Sequence, residues 1–253
     1  CNGRPLPNSG VAPHRELVMS CLSRVCTAGF LLVFCAGAQA SWQTSNAQGL
    51  YGDGYAGNGG ARHILTLEHA RGNQWGDLFA FVDVVQPRRG DRGGYGELWL
   101  RAKLGSPHPQ WLRSVLWTVN VERPQHGKAR WLFGPALDFS VPGFRFFKTH
   151  WLRRDNPTLP GVTWQFTLVW QRPFAVAGQS WLFEGVADLA GSEGPTVPHQ
   201  LLVPRLLMDV GQPLGRPATR WWLGVEWTYW RNRFGVDGVT ESVPQLQRRG
   251  QFD

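Results

Sequence analysis

The sequence predicts an all-β fold, a transmembrane antiparallel β-barrel of about 12 strands that follows a cleaved signal peptide. Three observations predict it. Segments of roughly ten residues alternate apolar and polar side chains from position 41 onward. Glycine- and proline-rich turn sequences separate these segments, and tryptophans lie near their ends. With 31 glycines, 14 tryptophans and 17% charged residues among 253, the chain resembles neither a disordered protein nor an average soluble domain.

The segment 19–40 predicts an export signal rather than part of the fold. It starts at Met19, carries a basic residue at Arg24, continues with an apolar stretch at 28–36 and ends in the small-x-small sequence "AQA". The apolar stretch is too short to span a bilayer as a helix, and no second one follows. We therefore expect 19–40 to be a cleaved signal peptide.

The cysteines occur only in the leading part of the chain, at Cys1, Cys21, Cys26 and Cys35. Residues 1–18 begin with Cys rather than Met and are interpreted as an upstream extension that is not part of the protein. The predicted barrel, 41–253, therefore has no disulfide and no thiolate metal site. This composition suits a polypeptide that crosses an oxidising compartment unfolded.

Strict alternation defines each strand of the predicted barrel. In "ELWLRAKL", every second side chain from Leu98 to Leu104 is apolar, which is the period of a strand with one apolar face. No helical pattern and no linker interrupts the series, so we predict one domain. The predicted strands span 42–51, 62–70, 76–86, 94–105, 111–123, 129–141, 144–154, 161–172, 179–190, 199–210, 219–233 and 239–252.

Strand length favours a membrane barrel over a soluble sandwich or barrel. Soluble strands usually have about five or six residues, whereas a tilted membrane strand needs about nine to eleven. The predicted strands belong to the longer class. A soluble, tryptophan-rich sandwich that binds sugars remains the alternative. In a membrane barrel, tryptophans near strand ends form girdles at the two interfaces, and we assign this role to Trp111, Trp131, Trp170, Trp181, Trp221 and Trp230.

The stretch "QWGDLFAFVDVV" at 74–85 indicates which face of the third strand meets lipid. Asp77 and Asp83 share one face with Phe79 and Phe81, and the other face is aliphatic. Because a charge aimed at lipid is costly, the acidic face should point into the lumen, with Val82 and Val84 outward. The same reasoning turns inward Glu97, Trp99, Arg101, Lys103, Glu122, Asp138, Glu184, Asp188 and Glu226.

A lumen that combines rings with carboxylates suits a solute with a flat apolar face and hydroxyl edges. Rings stack on the flat face, and carboxylates accept hydrogen bonds from hydroxyls. The alternative is that bulky rings merely fill a narrow barrel. The predicted substrate-binding residues are Asp77, Phe79, Phe81, Asp83, Glu97, Trp99, Arg101 and Glu226.

Six blocks in this order carry a family resemblance: "LTLEHARGNQWGDLFAFVDV", "YGELWLRAKL", "DFSVPGFRFF", "TWQFTLVWQRPF", "WLFEGVADLA" and "WLGVEWTYWRNRFGVDGVTESVPQ". Together they resemble the nucleoside-specific channel-forming outer-membrane proteins, the Tsx and OmpK group. The resemblance implies a monomeric twelve-stranded barrel in the outer membrane of a Gram-negative bacterium. It also implies diffusion of nucleosides through a narrow, weakly binding channel, with relatives serving as phage receptors. The end "QLQRRGQFD" departs from the pattern where the barrel should close, because Arg248, Arg249 and Asp253 interrupt it and Phe252 is penultimate.

Charge and motifs argue against other classes of function. The net charge of +8 comes from basic residues spread over several loops, which indicates a rim facing water or lipopolysaccharide rather than a nucleic-acid site. The histidines lack metal-ligand spacing, and no P-loop or G-x-S-x-G sequence occurs, so we predict no cofactor, no metal and no enzyme.

The alternatives to a channel are a receptor or adhesion barrel with a closed lumen, or an outer-membrane lipid hydrolase. The hydrolase would need a serine and a histidine together on the outer wall, and His150 is the histidine to test.

The links between strands predict which end of the barrel faces the periplasm. The tightest predicted link is "VPG" at 141–143, between the sixth and seventh strands. Short turns lie on the periplasmic side of such barrels, together with both chain ends. The glycine-rich segment 52–60 should then face outside.

Overall fold

The computed structural model describes residues 41–56, 60–105 and 109–252, and these form a closed antiparallel barrel. The predicted fold class is confirmed. The proposed extension 1–18 and signal peptide 19–40 lie outside the described residues. The strands are β1 Trp42–Gly52, β2 Arg62–Asn73, β3 Gly76–Pro87, β4 Gly93–Gly105, β5 Leu112–Pro124, β6 Arg130–Phe139, β7 Phe146–Asp155, β8 Thr163–Val176, β9 Gln179–Ala190, β10 His199–Asp209, β11 Trp221–Arg231 and β12 Glu241–Phe252.

The barrel closes because β12 pairs with β1 as well as with β11. The arginine pair that interrupts the sequence pattern does not interrupt this pairing, since alternation carries its two members to opposite faces. Arg249 is buried and donates a hydrogen bond to Glu184 across the lumen. Arg248 points outward and lies over Gly49 of β1, where no side chain competes for the space. Phe252 is the last residue of β12 and is exposed on the outer wall.

The two faces of the barrel wall have opposite polarity. Leu100 on the outer face is 46% exposed, whereas Gln247 on the inner face is 1% exposed. Apolar side chains therefore surround the barrel, and buried polar and charged side chains lie on its inner face together with aromatic rings, which is the arrangement of a barrel in lipid. Within the described ranges, no helix is long and apolar enough to cross a membrane.

The girdle prediction is right for only half of the tryptophans that it named. Trp111, Trp131 and Trp221 are exposed on the outside. Trp170, Trp181 and Trp230 instead contribute to the lining of the interior cavity. They are retained there by packing: the Trp170 ring lies against Gly185, Trp181 stacks on Phe174, and Trp230 contacts Phe234 edge-on.

The shortest links lie at one end of the barrel. They are two-residue turns at 74–75 and 177–178, so the prediction that 141–143 would be the tightest link is wrong. At Ala177 and Gly178 both φ angles are positive, 50° and 79°, as a tight type I′ hairpin requires. The 141–143 segment, the start of β1 and the end of β12 lie at the same end. We call it the turn end, and the opposite end the loop end.

Candidate functional site

A cavity of about 1640 Å³ occupies the barrel interior, with side chains from every strand in its lining. All of the predicted substrate-binding residues are part of this lining: Asp77, Phe79, Phe81, Asp83, Glu97, Trp99, Arg101 and Glu226. Lys103, which was expected to face inward, is exposed and outside the lining. It lies beside a register irregularity in the β4–β5 pairing at the turn end, where regular alternation stops.

Strands β3 and β4 bring seven of these residues together on one wall. Their pairing places Asp77 opposite Arg101, Phe79 opposite Trp99, and Phe81 opposite Glu97. Asp83 follows, opposite Tyr95, a lining residue that the sequence analysis did not name. Directly opposed side chains in a sheet are about 4.5 to 5.5 Å apart at Cβ, so these residues form one continuous surface. We call it the β3–β4 wall.

At the turn end of this wall, Arg101 is held by two carboxylates. Its Nε donates to Asp77 Oδ1 at 2.7 Å, and its Nη1 donates to Asp138 Oδ1 at 2.6 Å. Asp138 belongs to β6, two strands away, so the guanidinium spans β5 inside the lumen. Bidentate pairs of this kind fix side-chain geometry as well as charge. Asp77 and Arg101 are therefore engaged with each other and have little capacity left for a solute.

Glu97, in the middle of the wall, is held by neutral donors. Tyr95 Oη and Trp99 Nε1 each donate to it at 2.6 Å, and Asn120 Nδ2 donates at 3.0 Å. These contacts orient the carboxylate and the two rings together. No arginine or lysine of the described residues forms an ion pair with Glu97, so neutral donors alone hold this carboxyl group.

Two further carboxyl groups in the lumen also lack a basic partner and are held by neutral donors. Asp83 accepts a hydrogen bond from Thr66 Oγ1 at 2.5 Å, and Asp188 accepts one from Thr167 Oγ1 at 2.5 Å. Neither has a basic partner within ion-pair distance among the residues that the structure describes. With Glu97, they are three carboxyl groups in the loop-end half of the lumen that lack a basic partner and retain free hydrogen-bond acceptor capacity.

The rings of the wall form a row next to these carboxylates. The centroids of Phe79 and Phe81 are 6.0 Å apart, and those of Phe81 and Tyr95 are 5.9 Å apart. Trp99 contacts His150 edge-on at 4.9 Å. Phe79 and Phe81 are half-buried, so they pack against neighbours and still present part of their surface to the cavity. Both rings therefore combine packing against neighbours with a surface that is open to a solute.

Glu226, the eighth predicted residue, lies away from this wall, on β11. It accepts hydrogen bonds from Arg205 Nε at 2.5 Å and from Gln245 Nε2 at 2.9 Å. Arg205 also reaches Glu68 of β2 at 3.4 Å and Glu184 of β9 at 3.6 Å. It therefore links β10 to β2 across the lumen. Arg205 was not among the residues predicted from the sequence, although a lone arginine inside the apolar segment "LLVPRLLMD" was the available signal.

At the loop end, Tyr55 and Ala56 of the β1–β2 link lie at the mouth of the cavity. Tyr55 is buried there and its hydroxyl donates to Gln245 Oε1. The Arg62 guanidinium lies 4.3 Å from the centre of the Tyr55 ring, and Ala56 N donates to Glu241 Oε2 at 2.8 Å. Burial raises the pKa of Tyr55, so its hydroxyl stays protonated and keeps donating at neutral pH. Tyr55 therefore narrows the loop-end entrance of the cavity.

The inner and outer faces of the barrel each carry a histidine that bears on the lipid hydrolase alternative. His150 is buried in the lumen lining, where its Nδ1 lies 3.3 Å from Thr118 Oγ1, so it is not an outer-wall residue. The outer wall instead carries Ser45 Oγ hydrogen-bonded to His69 Nδ1 at 2.8 Å. Among the described residues, no group of three or more His, Cys, Asp or Glu side chains is arranged to hold a metal ion.

Comparison with known proteins places the barrel among porin folds. The chain is similar to a solved structure described as "KdgM porin", with a TM-score of 0.51 and 9% identity. The similarity covers 83% of this chain and 99% of that one. No protein-family model matches the sequence, and no curated protein matches it. At this identity the similarity shows the fold, which is that of a porin-like barrel.

Proposed function

We propose that this protein is an outer-membrane channel that lets nucleosides diffuse through its lumen. The porin-like fold, the apolar outer face and the polar interior support a membrane channel for small solutes. The observation that carries the nucleoside proposal is the β3–β4 wall. There the half-exposed rings Phe79 and Phe81 lie beside Asp83 and Glu97, two carboxylates without a basic partner. The resemblance to the Tsx and OmpK group points to the same solute.

Each part of a nucleoside matches one part of this wall. The base offers a flat π-face for Phe79 and Phe81, and the ribose hydroxyls donate to Asp83 or Glu97. Stacking on an aromatic side chain is worth about 1 to 3 kcal/mol, which suits a channel that must also release its solute. Asp83 and Glu97 offer acceptors to ribose hydroxyls but no paired cation to a phosphate group. We therefore expect the channel to favour nucleosides over nucleotides.

Single-channel recording of the refolded segment 41–253 tests this proposal. Adenosine or thymidine at millimolar concentration should reduce the ionic current reversibly, and the corresponding monophosphates should do so less. Replacing Phe79 with Ala should raise the half-blocking nucleoside concentration by about tenfold or less. Phe133→Ala is the matched control, because Phe133 is exposed on the outer wall. An ion-conducting channel that no nucleoside blocks would contradict the proposal. An ion-tight barrel would favour a receptor or adhesion role.

One observation favours a second candidate, a lipid hydrolase. Ser45 and His69 form a hydrogen-bonded pair on the outer wall near the turn end, where a serine nucleophile and a base would meet lipid esters. We rank this candidate second because, within the described residues, no carboxylate hydrogen-bonds to His69 to orient it. Release of fatty acid from phospholipid vesicles by the wild type, but not by Ser45→Ala, would establish it.

The remaining expectations about location and partners belong to the same proposal. We propose that the barrel acts as a monomer in the outer membrane of a Gram-negative bacterium. Its turn end then faces the periplasm and its loop end faces the medium, in contact with lipopolysaccharide and accessible to phage. The distribution of two-residue turns, all at the end that holds both chain ends, supports this orientation.

A further inference from the structure

The outer wall near the loop end carries an arginine surrounded by exposed aromatic rings. Arg153 of β7 lies directly opposite Phe133 of β6 and Trp164 of β8. Trp151 precedes it on the same face of β7, and Trp131 lies on the same face of β6. These large side chains are 40 to 56% exposed. We call this surface the Arg153 patch, which comprises Trp131, Phe133, Trp151, Arg153 and Trp164.

The Arg153 guanidinium has no partner within the described part of the protein. It is exposed, and it forms neither an ion pair nor a stacking contact there. Asp155, two residues closer to the loop end on the same face, does not pair with it. The next residue, Arg154, points into the lumen and is bound to Glu122 at 2.9 Å. A full positive charge is therefore presented outward between rings.

The position of Arg153 along β7 indicates which chemical group can bind to the patch. Arg153 is two residues from the end of β7, about 7 Å along the strand, which corresponds to the headgroup edge of the apolar band. An arginine facing lipid is costly, by about 2 to 4 kcal/mol at the midplane and less toward the interface. A phosphate group offsets that cost, because the planar guanidinium binds it through two parallel hydrogen bonds.

The rings add a second requirement. Trp131, Trp151 and Trp164 offer flat, exposed surfaces around the charge. Trp164 lies directly opposite Arg153, Trp131 lies two residues nearer the loop end, and Trp151 lies two residues nearer the turn end. Such surfaces stack on the apolar face of a sugar ring and also contact acyl chains. The patch therefore fits a ligand that combines a phosphate, a sugar ring and acyl chains. A simple phospholipid supplies the phosphate and the acyl chains but no sugar ring.

We propose that the Arg153 patch is a binding site for a phosphorylated glycolipid of the outer leaflet, the lipid A part of lipopolysaccharide. Arg153 binds a phosphate of the glycolipid, and the tryptophans stack on its sugars and upper acyl chains. This site lies on the outer wall and is separate from the lumen. It rests on the proposed outer-membrane location and orientation, but not on the nature of the solute.

Native mass spectrometry of the detergent-solubilised mature barrel with added lipid A tests the proposal. Arg153→Gln and Trp164→Leu should each weaken lipid A binding, Arg153→Gln by roughly tenfold. Arg248→Gln is the matched control, because Arg248 is also exposed on the outer wall but belongs to the turn-end half. It should leave lipid A binding unchanged. Binding of dephosphorylated lipid A should not depend on Arg153.

The contrary outcomes are equally specific. Unchanged lipid A binding by Arg153→Gln overturns the proposal, and so does phosphatidylglycerol binding that is as tight and as dependent on Arg153. Nucleoside block is recorded on the same preparations, and both variants should retain it, which also shows that they are folded. Arg153-dependent lipid A binding without nucleoside block would leave this inference standing and reject the nucleoside channel. Nucleoside block without Arg153-dependent lipid A binding would support the nucleoside channel and reject this inference.

Discussion

Two aspartates on the same face of β3 have different surroundings in the lumen. Asp77 shares the Arg101 guanidinium with Asp138, whereas Asp83 has only the Thr66 hydroxyl. The free-energy cost of removing each charge should differ accordingly. Loss of the Asp77 charge leaves Arg101 with one carboxylate in place of two, while loss of the Asp83 charge leaves no cation unpaired.

Asp83→Asn should leave the barrel folded and weaken block by nucleosides more than block by free bases, which lack the ribose hydroxyls. Current recordings with adenosine and adenine measure this difference. Asp77→Asn is the comparison, and it should lower the free energy of unfolding by about 1 to 3 kcal/mol because a charge-assisted bond to the buried Arg101 is lost. Urea unfolding in lipid vesicles measures that loss. Equal loss of stability in both variants would show that Asp83 is structural.

The sequence predicts the facing of such residues but not their partners. Period two is a local property, and it places Asp77, Phe79, Phe81 and Asp83 in the lumen, where the structure has them. The partner of Arg101 on β6 depends on how two non-adjacent strands curve toward each other. Alternation contains no information on that curvature. The two arginine-bound carboxylates therefore appeared equivalent to the free ones in the sequence.

At the scale of the strand, the two faces should respond oppositely to one added charge. Leu100→Arg on the outer face should lower the free energy of unfolding by about 2 to 4 kcal/mol near the midplane. Val186→Arg is the matched change on the inner face, where Val186 lines the cavity between Glu184 and Asp188 on the same face of β9. Its cost should be much smaller, because carboxylates are available nearby. Urea unfolding in vesicles compares the two, and equal damage would contradict the facing assignment.

Reversing the charge of the inner-face residue Arg101 should do more than alter ion selectivity. In the structure its side chain is buried between Asp77 and Asp138, so a carboxylate there would place three acids together. We expect that change to damage folding directly, by like-charge repulsion in a buried site.

The links predict which end is accessible from outside the cell. A protease site inserted at Gly90, in the β3–β4 link of the loop end, should be cleaved in intact cells. The same insertion at Gly143, in the β6–β7 link of the turn end, should be spared until the outer membrane is opened. Immunoblotting of cleavage fragments measures both. The opposite pattern would reverse the proposed orientation.

Strand positions were predictable from the sequence to within a few residues, and the largest error has an identifiable cause. β8 was expected to end at 172. The structure continues the strand through Pro173 to Val176 and turns at Ala177 and Gly178. A proline is tolerated there because the pairing with β7 ends at Gln171, so Pro173 has a partner strand only on the β9 side. Local propensity was overridden by the turn.

At the scale of the whole molecule, Arg205 connects opposite walls of the lumen, and its removal should affect both folding and conduction. Arg205→Met leaves Glu226 and Glu68 without this cation. We expect a loss of up to about 3 kcal/mol of unfolding free energy, less than for a fully buried pair because Arg205 is partly exposed. Reversal potentials in a salt gradient should shift toward cation selectivity. Arg231→Met, at the exposed end of β11, should change neither quantity.

Alternation and link lengths were sufficient to predict a barrel of about twelve strands, but neither its closure through β12 nor the network inside it. Arg205, Tyr55 and the burial of Trp170 all depend on the diameter of the finished barrel. That diameter follows from strand number and stagger, which are properties of the whole sheet. Long-range contacts of this kind have no signature within any one segment.

The closing pair of strands also sets the order in which the protein can assemble. Gln247 donates to Gln48, Gln251 to Thr44 and Tyr55 to Gln245 across a sequence separation of 190 to 207 residues. Contacts of such high order form late and make folding slow. A chain that stopped after β11 would lack the strand β12 and also the hydrogen bonds that β12 makes with other strands. Glu184 would lose its partner Arg249, and Gln48 would lose its partner Gln247. The twelve residues of β12, Glu241–Phe252, therefore complete the lumen network: these cross-lumen hydrogen bonds can form only once β12 has been delivered.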